Sequence, residues 1–225
     1  TKFRDELRAK SGILRTREFL MKDLYSFHAS QEDLDKYYQV VAKAYGNIFK
    51  ELGIGKITYR TLASGGSFSK YSDEFQTITI SGEDLVYICK GCGIGINKEI
   101  KAENPTCPKC KSPDFEEKKA VEVGNIFKMG TRFSIPFDLK FTDEAGKKKP
   151  VIMGSYGIGP TRILATLVEV YNDEKGIIWP ESVSPYKIHL LEIRNEKLEI
   201  RKKTEKIYNQ LKKSGVEVLY DDRDV

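Results

Sequence analysis

The longest regular pattern in the chain lies between Ser30 and Gly53. Leu34, Tyr37, Tyr38, Val41, Ala44, Tyr45, Ile48, Phe49 and Leu52 recur at helical spacing behind the polar start Ser30-Gln31-Glu32-Asp33, and Gly53 stands where a C′ glycine ends a helix. The spacing predicts a helix over 31–52 with its aromatic stripe in the core. Ahead of it, Phe3-Arg4-Asp5-Glu6 and Ile13-Leu14-Arg15-Thr16-Arg17-Glu18-Phe19 flank the turn-forming Lys10-Ser11-Gly12 and predict a β-hairpin. After the helix, strands are expected at 57–62 and within 68–80, separated by Ser64-Gly65-Gly66-Ser67. Val121–Gly130 and Thr131–Ser134 read as a strand, a turn and a short continuation, and residues 138–142 and 149–153 flank the hairpin chemistry of Asp143-Glu144-Ala145-Gly146. Gly154–Arg162 leads into a buried helix over 163–170. Beyond Gly176–Pro180 and Ser184-Pro185-Tyr186, which mark a boundary, a strand over 187–193 is followed by a helix over 196–214 with Leu198, Ile207 and Leu211 inward. Gly215 then caps the helix, and a second strand runs over 216–220. That strand–helix–strand unit suits a parallel pair, and His189 reads as a strand residue.

Composition narrows the class. A chain of 225 residues has room for one sizeable domain and a small one. No apolar run is long enough to span a membrane, and Thr1-Lys2-Phe3-Arg4-Asp5 has no apolar signal region. The net charge of +5 permits a nucleic-acid partner without demonstrating one. All 4 cysteines fall in Cys-x-x-Cys pairs, Cys89/Cys92 and Cys107/Cys110. That is metal spacing more than disulfide spacing, in keeping with a reducing, cytoplasmic compartment. Two such knuckles aim four thiolates at one point, and a fully thiolate-ligated Zn²⁺ has no open position, so the site reads as structural.

Two stretches carry further candidate chemistry. The hairpin places Arg4, Arg15 and Arg17 on neighbouring strands with Glu6 among them. Guanidiniums beside a carboxylate suit a polyphosphate joined to a group with hydrogen-bond donors, such as adenine; they also suit a solvated, charge-paired hairpin. Gly157-Ile158-Gly159 at a strand-to-helix junction lets a nucleotide approach the backbone, but the third glycine of a dinucleotide fingerprint is replaced by Arg162.

The hairpin resembles motif 2 of class II aminoacyl-tRNA synthetases, and Leu14-Arg15-Thr16-Arg17-Glu18-Phe19-Leu20-Met21-Lys22-Asp23 is similar to the prolyl-tRNA synthetase family in particular. Gly157-Ile158-Gly159-Pro160-Thr161-Arg162 resembles motif 3, and Val121-Glu122-Val123-Gly124-Asn125-Ile126-Phe127 resembles a stretch of the bacterial prolyl enzymes. The resemblance implies an α+β fold: a class II antiparallel sheet with flanking helices over 1–183, interrupted by a zinc-ribbon-like insert over 81–119. Residues 184–225 would start an α/β anticodon-binding domain. It implies that Arg4, Glu6, Arg15, Thr16, Phe19 and Arg162 bind ATP, with Arg4 and Arg162 catalytic. Glu122, Gly124, Asn125 and Ser155 would line or support the proline pocket. The Gly-Gly…Glu-Phe segment has a counterpart in bacterial prolyl enzymes, where a histidine usually precedes the Glu-Phe; Asp73 stands there instead, which leaves its role open.

The implied reaction is ATP- and Mg²⁺-dependent activation of proline and its transfer to tRNA(Pro), in an enzyme that is a homodimer at full length and is not bound to membrane. The alternatives are an inactive synthetase-like paralogue or fragment that binds tRNA or a protein partner, or a zinc-ribbon interaction module. Motif 1 and the Thr-x-Glu loop are expected before Thr1 and are not in the chain, and the anticodon domain is incomplete, so a fragment or a shortened relative is expected. Only residues 76–120 separate Phe75 from Val121, and they contain no histidine. That is below the usual size of an independent hydrolytic domain, so editing in cis is not expected.

Overall fold

The computed structural model describes residues 1–7, 9–192 and 198–223. In chain order, β1 (Lys2–Phe3) and β2 (Glu18–Phe19) precede β3 (Lys22–His28) and α1 (Gln31–Glu51). Then follow β4 (Thr58–Ser64), β5 (Tyr71–Ile78), β6 (Asp84–Cys89), β7 (Gly95–Asn97) and the short α2 (Lys98–Lys101). The long β8 (Phe115–Gly130) is followed by β9 (Lys140–Thr142), β10 (Lys148–Pro150), β11 (Ile152–Ile158) and α3 (Pro160–Val170). A last small hairpin, β12 (Asn172–Asp173) with β13 (Gly176–Ile177), ends the first of two compact units, Thr1–Ile178.

The centre of this unit is a 7-stranded sheet in the order β3-β11-β8-β5-β4-β7-β6. All its pairings are antiparallel except β4 with β7. β6 also returns to the first half of β8, Asp84↔Ala120 through Cys89↔Phe115, so β8, β5, β4, β7 and β6 close on themselves. Val86, Ile88 and Ala120 fill the inside of that ring, with Tyr59 and Ile78 packed against them. The cysteine-bearing segment is therefore continuous with the main sheet.

Helix α1 covers one face of the sheet. Ser30 Oγ accepts from the amide of Asp33 at its N-cap, and Gly53, at φ 84°, takes the left-handed conformation past its C-cap. Leu34, Tyr38, Val41, Ala42, Tyr45 and Phe49 are buried, and the rings of Tyr45 and Phe49 lie 5.2 and 5.4 Å from Phe75. Truncating either ring to alanine would cost about 3–5 kcal/mol, enough to unseat the helix in a marginally stable domain. Asp73 belongs to this face: Tyr38 Oη donates to it at 2.7 Å and Arg60 Nη2 at 2.7 Å. It ties α1 and β4 to β5.

Several expectations need correction. The motif 2-like hairpin is present but short: among the described residues it pairs over Lys2↔Phe19 and Phe3↔Glu18, with an isolated bridge at Lys10↔Arg15. The turn after β8 is present, with Gly130 at φ 58°, but Thr131–Ser134 does not resume a strand: Ile135 and Phe137 donate to Thr131 and Phe133 in successive turns. Ile57 belongs to a 3₁₀ turn ahead of β4.

The second unit, Trp179–Val225, holds β14 (Ile188–Leu191), α4 (Leu198–Lys213) and β15 (Val218–Asp221). β14 and β15 are parallel. Ile207 is 46% exposed and not inward; the inward row runs through Ile200, Thr204, Tyr208 and Leu211. Ile193, positions 196–197 and the side chain of Leu198 lie outside the described residues. His189 sits in β14 with Nε2 3.6 Å from Asp221.

Candidate active site

On the sheet face opposite α1, a cavity of about 370 Å³ opens between the hairpin and strands β3, β11, β8 and β5. Its floor is a grid set by register. Asp23, Gly157, Asn125 and Glu74 stand in one row across β3, β11, β8 and β5, and Tyr25, Ser155 and Phe127 form the next. Alternation along each strand sends these residues to the cavity and their neighbours toward α1.

Glu122 and Asn125 are three apart and would face opposite ways in a regular strand. β8 is bulged here: Phe75 pairs with Gly124 and Gln76 with Glu122, which leaves Val123 as the extra residue. The bulge brings both side chains to the same wall, where Asn125 Nδ2 donates to Glu122 Oε1 at 3.0 Å. Asn125 Oδ1 is buried without a partner, an acceptor awaiting a donor.

Arg162, in the first turn of α3, joins the sheet to the hairpin. Its Nε donates to the carbonyl of Leu14 at 3.0 Å, and its Nη1 to the carbonyl of Glu122 at 3.0 Å and, more loosely, to Oε2 of Glu122 at 3.4 Å. Next to it, Thr161 Oγ1 accepts from the amide of Leu20 at 3.0 Å. Arg4 lies with its guanidinium carbon 5.0 Å from the Phe19 ring centre, at the edge of the same cavity. Thr16, whose Oγ1 donates to the carbonyl of Glu18 at 2.6 Å, completes that wall.

Thus Arg4, Thr16, Phe19, Glu122, Gly124, Asn125, Ser155 and Arg162 all border one cavity. Glu6 and Arg15 do not line it. They pair with each other at 2.9 Å, and Arg15 Nε also donates to Glu83 at 2.5 Å, so opposite charges satisfy one another beside the cavity. Arg15 borders instead a small crevice with Glu83, Asp84 and Arg162.

Sequence reading missed Met21, Asp23, Tyr25, Phe68 and Glu74, which also line the cavity. Glu74 is the most informative. It is 8% exposed, and its Oε2 accepts from Gln76 Nε2 at 2.8 Å and from Asn97 Nδ2 at 3.0 Å. Burial first, then the neighbouring Glu122 charge, push its carboxyl up to about 8, against the pull of those two amide donors. The signal available in sequence was the alternation of β5, which shows Glu74 on the face opposite Phe75.

The four cysteines are free thiols whose sulfurs all lie within 4.8 Å of one another. Cys89–Cys110 and Cys92–Cys107 Sγ atoms are 3.4 and 3.5 Å apart, close to the roughly 3.8 Å that tetrahedral bonds of about 2.3 Å imply. Burial alone would raise the Cys107 thiol, but backbone N–H groups of Cys110 and Lys109 and neighbouring thiols outweigh it and bring the group down to about 6. Cys110 goes the other way: against the pull of the Ser112 backbone, the Cys89 thiol and burial push it up to about 12, so the convergence of the four sulfurs is what suits a metal ion.

A cavity where a cation-lined hairpin faces a carboxyl- and amide-bearing antiparallel sheet is the arrangement of a class II synthetase core. The family described as "tRNA synthetase class II core domain (G, H, P, S and T)" matches residues 1–171, and the chain belongs to it. Within that class, the chain is 39% identical over 239 residues to "Proline--tRNA ligase" of Rickettsia bellii (strain OSU 85-389), covering 100% of the chain and 55% of that protein. It is 36% identical over 248 residues to "Proline--tRNA ligase" of Sulfurimonas denitrificans, covering 99% and 55%. The chain spans about 55% of the length of these relatives. No described helix is long and apolar enough to cross a membrane.

Proposed function

We propose that this chain carries the aminoacylation core of a proline–tRNA ligase. Proline's carboxylate attacks the α-phosphorus of ATP, pyrophosphate leaves, and the prolyl-adenylate then passes proline to the 3′ hydroxyl of tRNA(Pro) with release of AMP. The observation that carries this reading is the convergence of Arg4, Phe19 and Arg162, from distant parts of the chain, with Glu122, Asn125 and Ser155 on one cavity. Arg4 and Arg162 hold and neutralise the phosphates; Phe19 offers a stacking face for adenine, with Thr16 beside it. Glu6 and Arg15 act at the margin, where they brace the hairpin. Mg²⁺ would supply further charge neutralisation with the phosphates and a cavity carboxylate, for which Glu122 is placed.

The amino-acid half is the grid of Asp23, Asn125, Ser155 and Glu74, with Tyr25, Phe68 and Phe127 as its apolar surround. An unpartnered Asn125 oxygen and several carboxyls suit an ammonium group, and a small apolar ring suits the aromatic walls. Gly124 supports this floor from the other face: a side chain there would meet Phe49 and Tyr45 of α1. Cys89, Cys92, Cys107 and Cys110 would hold Zn²⁺ in a closed, structural site, and the second unit would begin the anticodon-binding domain.

The test is proline-dependent ATP–pyrophosphate exchange by this chain and by a form extended to its relatives' length. Proline is expected to be preferred over all other amino acids by the extended form. Arg4→Ala should lose on the order of 2 kcal/mol of ATP-dependent activity, as for a charged phosphate contact. Preference for serine, threonine or glycine would overturn the assignment within the class. The same extended protein is expected not to deacylate alanyl-tRNA(Pro) above the spontaneous rate. Apolar pockets discriminate by only about 1–3 kcal/mol, and residues 81–119 are committed to the cysteine cluster and its strands. Deacylation well above the spontaneous rate by the folded, extended protein would refute that expectation.

A further inference from the structure

The cysteine cluster is connected to the floor of the cavity by two strands. The first knuckle closes with Gly93 N donating to Cys89 O at 2.8 Å and Cys89 N to Ile94 O at 2.9 Å, and it delivers β7. The second closes with Lys111 N donating to Cys107 O at 2.9 Å and Cys107 N to Ser112 O at 2.9 Å, and it delivers β8. β8 carries Glu122 and Asn125. β7 ends on Asn97, whose Nδ2 is one of the two amide donors that hold the Glu74 carboxyl. The other donor, Gln76, is itself held by Asp84 at 2.8 Å, at the start of the strand that enters the first knuckle.

β7 is short, and it is held on one side by β6, the strand that enters the same knuckle, through Val86↔Asn97, Tyr87↔Ile96 and Ile88↔Gly95. It pairs with β4 only through Thr61↔Gly95 and Leu62↔Ile96. A Cβ at Gly95 would fall 2.3 Å from Thr61 Oγ1, so the strand sits as close to β4 as a glycine allows. A small shift of the first knuckle would withdraw Asn97 from Glu74 and leave that carboxyl with one donor beside Glu122.

We propose that the cysteine-cluster segment is a positioning device for the amino-acid site: metal bound by the thiolates fixes β7, and Asn97 transmits this to Glu74. Asn97 is a positioning residue, and metal occupancy sets affinity for the amino acid at a distance. This rests on the reading of the cavity as a proline-activating site. Asn97 also caps α2 through Oδ1, which accepts from the amide of Glu99 at 3.2 Å. Asn97→Ser keeps a good cap while being too short to reach Glu74, so it separates the positioning role from the structural one.

The experiment uses the extended protein, loaded with Zn²⁺ or stripped by a chelator, as wild type and as Asn97→Ser. KM for proline, KM for ATP and kcat are read from pyrophosphate exchange, and proline affinity without turnover is read by calorimetry. Loss of a hydrogen bond to a buried carboxyl should raise KM for proline roughly tenfold in Asn97→Ser, with kcat and KM for ATP little changed and the melting temperature of the metal-loaded form kept. Stripping the wild type should give a similar rise, reversed by Zn²⁺, and stripping Asn97→Ser should add less than about twofold, because the two act through one contact. An unchanged KM in Asn97→Ser, or effects of stripping and substitution that multiply independently, would overturn the proposal. Absence of proline-dependent exchange in the Zn²⁺-loaded wild type would instead overturn the reading on which it rests.

Discussion

Glu74 shows how much one buried side chain can alter the behaviour of the domain. Its folded-state carboxyl sits near 8 against an ordinary 4.5. Between those values the folded protein keeps a proton that the unfolded chain releases, so stability falls as pH rises through that window and levels off beyond about 8. Glu74→Gln removes the penalty. It should raise thermal stability at pH 8 by an amount on the order of a few kcal/mol and leave it little changed at pH 5. Melting curves for the two proteins that stay parallel across this range would contradict the assignment. Much of the site was legible at this scale: Arg4, Phe19, Asn125 and Arg162 announce themselves by type and motif. Glu74 was not, because carboxylates are ordinarily exposed and only the register of β5 against β8 places this one in a cavity. The partnership of Glu6 with Arg15, beside the cavity and not in it, was also illegible. Arginines that could each reach a phosphate or a carboxylate are assigned only by distances.

At the scale of elements, periodicity served well where one face is buried and poorly where none is. α1 follows its apolar stripe closely in extent, but Ala44 and Ile48 of that stripe are exposed and Ala42 is buried in their place. α4 does not, since a lysine-rich helix offers several weak stripes, and Thr204 rather than Ile207 lies on the buried one. The β8 bulge could not be read in advance, because a bulge depends on its partner strand. Asp73 illustrates the two faces of β5. It occupies the position next to Glu74, yet it serves the helix: burial and then the adjoining Asp73 carboxylate push the Tyr38 phenol far above its usual range, so Tyr38 remains a donor. Asp73→Ala should therefore cost about 1–3 kcal/mol by removing the acceptor that Tyr38 and Arg60 share, leaving Tyr38 only the Ile126 carbonyl and Arg60 only Gln39 as hydrogen-bond partners among the described residues. That corresponds to a fall of roughly 2–10 °C in Tm, while KM for proline stays as it was. A large KM effect with unchanged Tm would place Asp73 with the site instead of the helix.

For the whole first unit, the ring formed by β8, β5, β4, β7 and β6 means that a metal at the cysteine cluster braces part of the main sheet and not an appendage. Stripping it should speed hydrogen exchange in residues 84–97 and the first half of β8, and leave β3 and the adjoining half of β11 protected. Uniform loss of protection across 1–178 would show the metal to be required for the entire fold.

The strand order also imposes a sequence of events in time. Among the described residues β3 has one neighbour in the sheet, β11, and that pairing joins Lys22–His28 to Ile152–Ile158. The β6–β8 ladder joins residues far closer together in the chain, Asp84–Cys89 with Phe115–Ala120. As a ribosome releases the polypeptide, the cysteine hairpin can therefore close early, whereas β3 must wait for more than a hundred further residues. During that interval the unpaired edge of β3 is where a nascent chain of this protein is open to mispairing and to capture by chaperones.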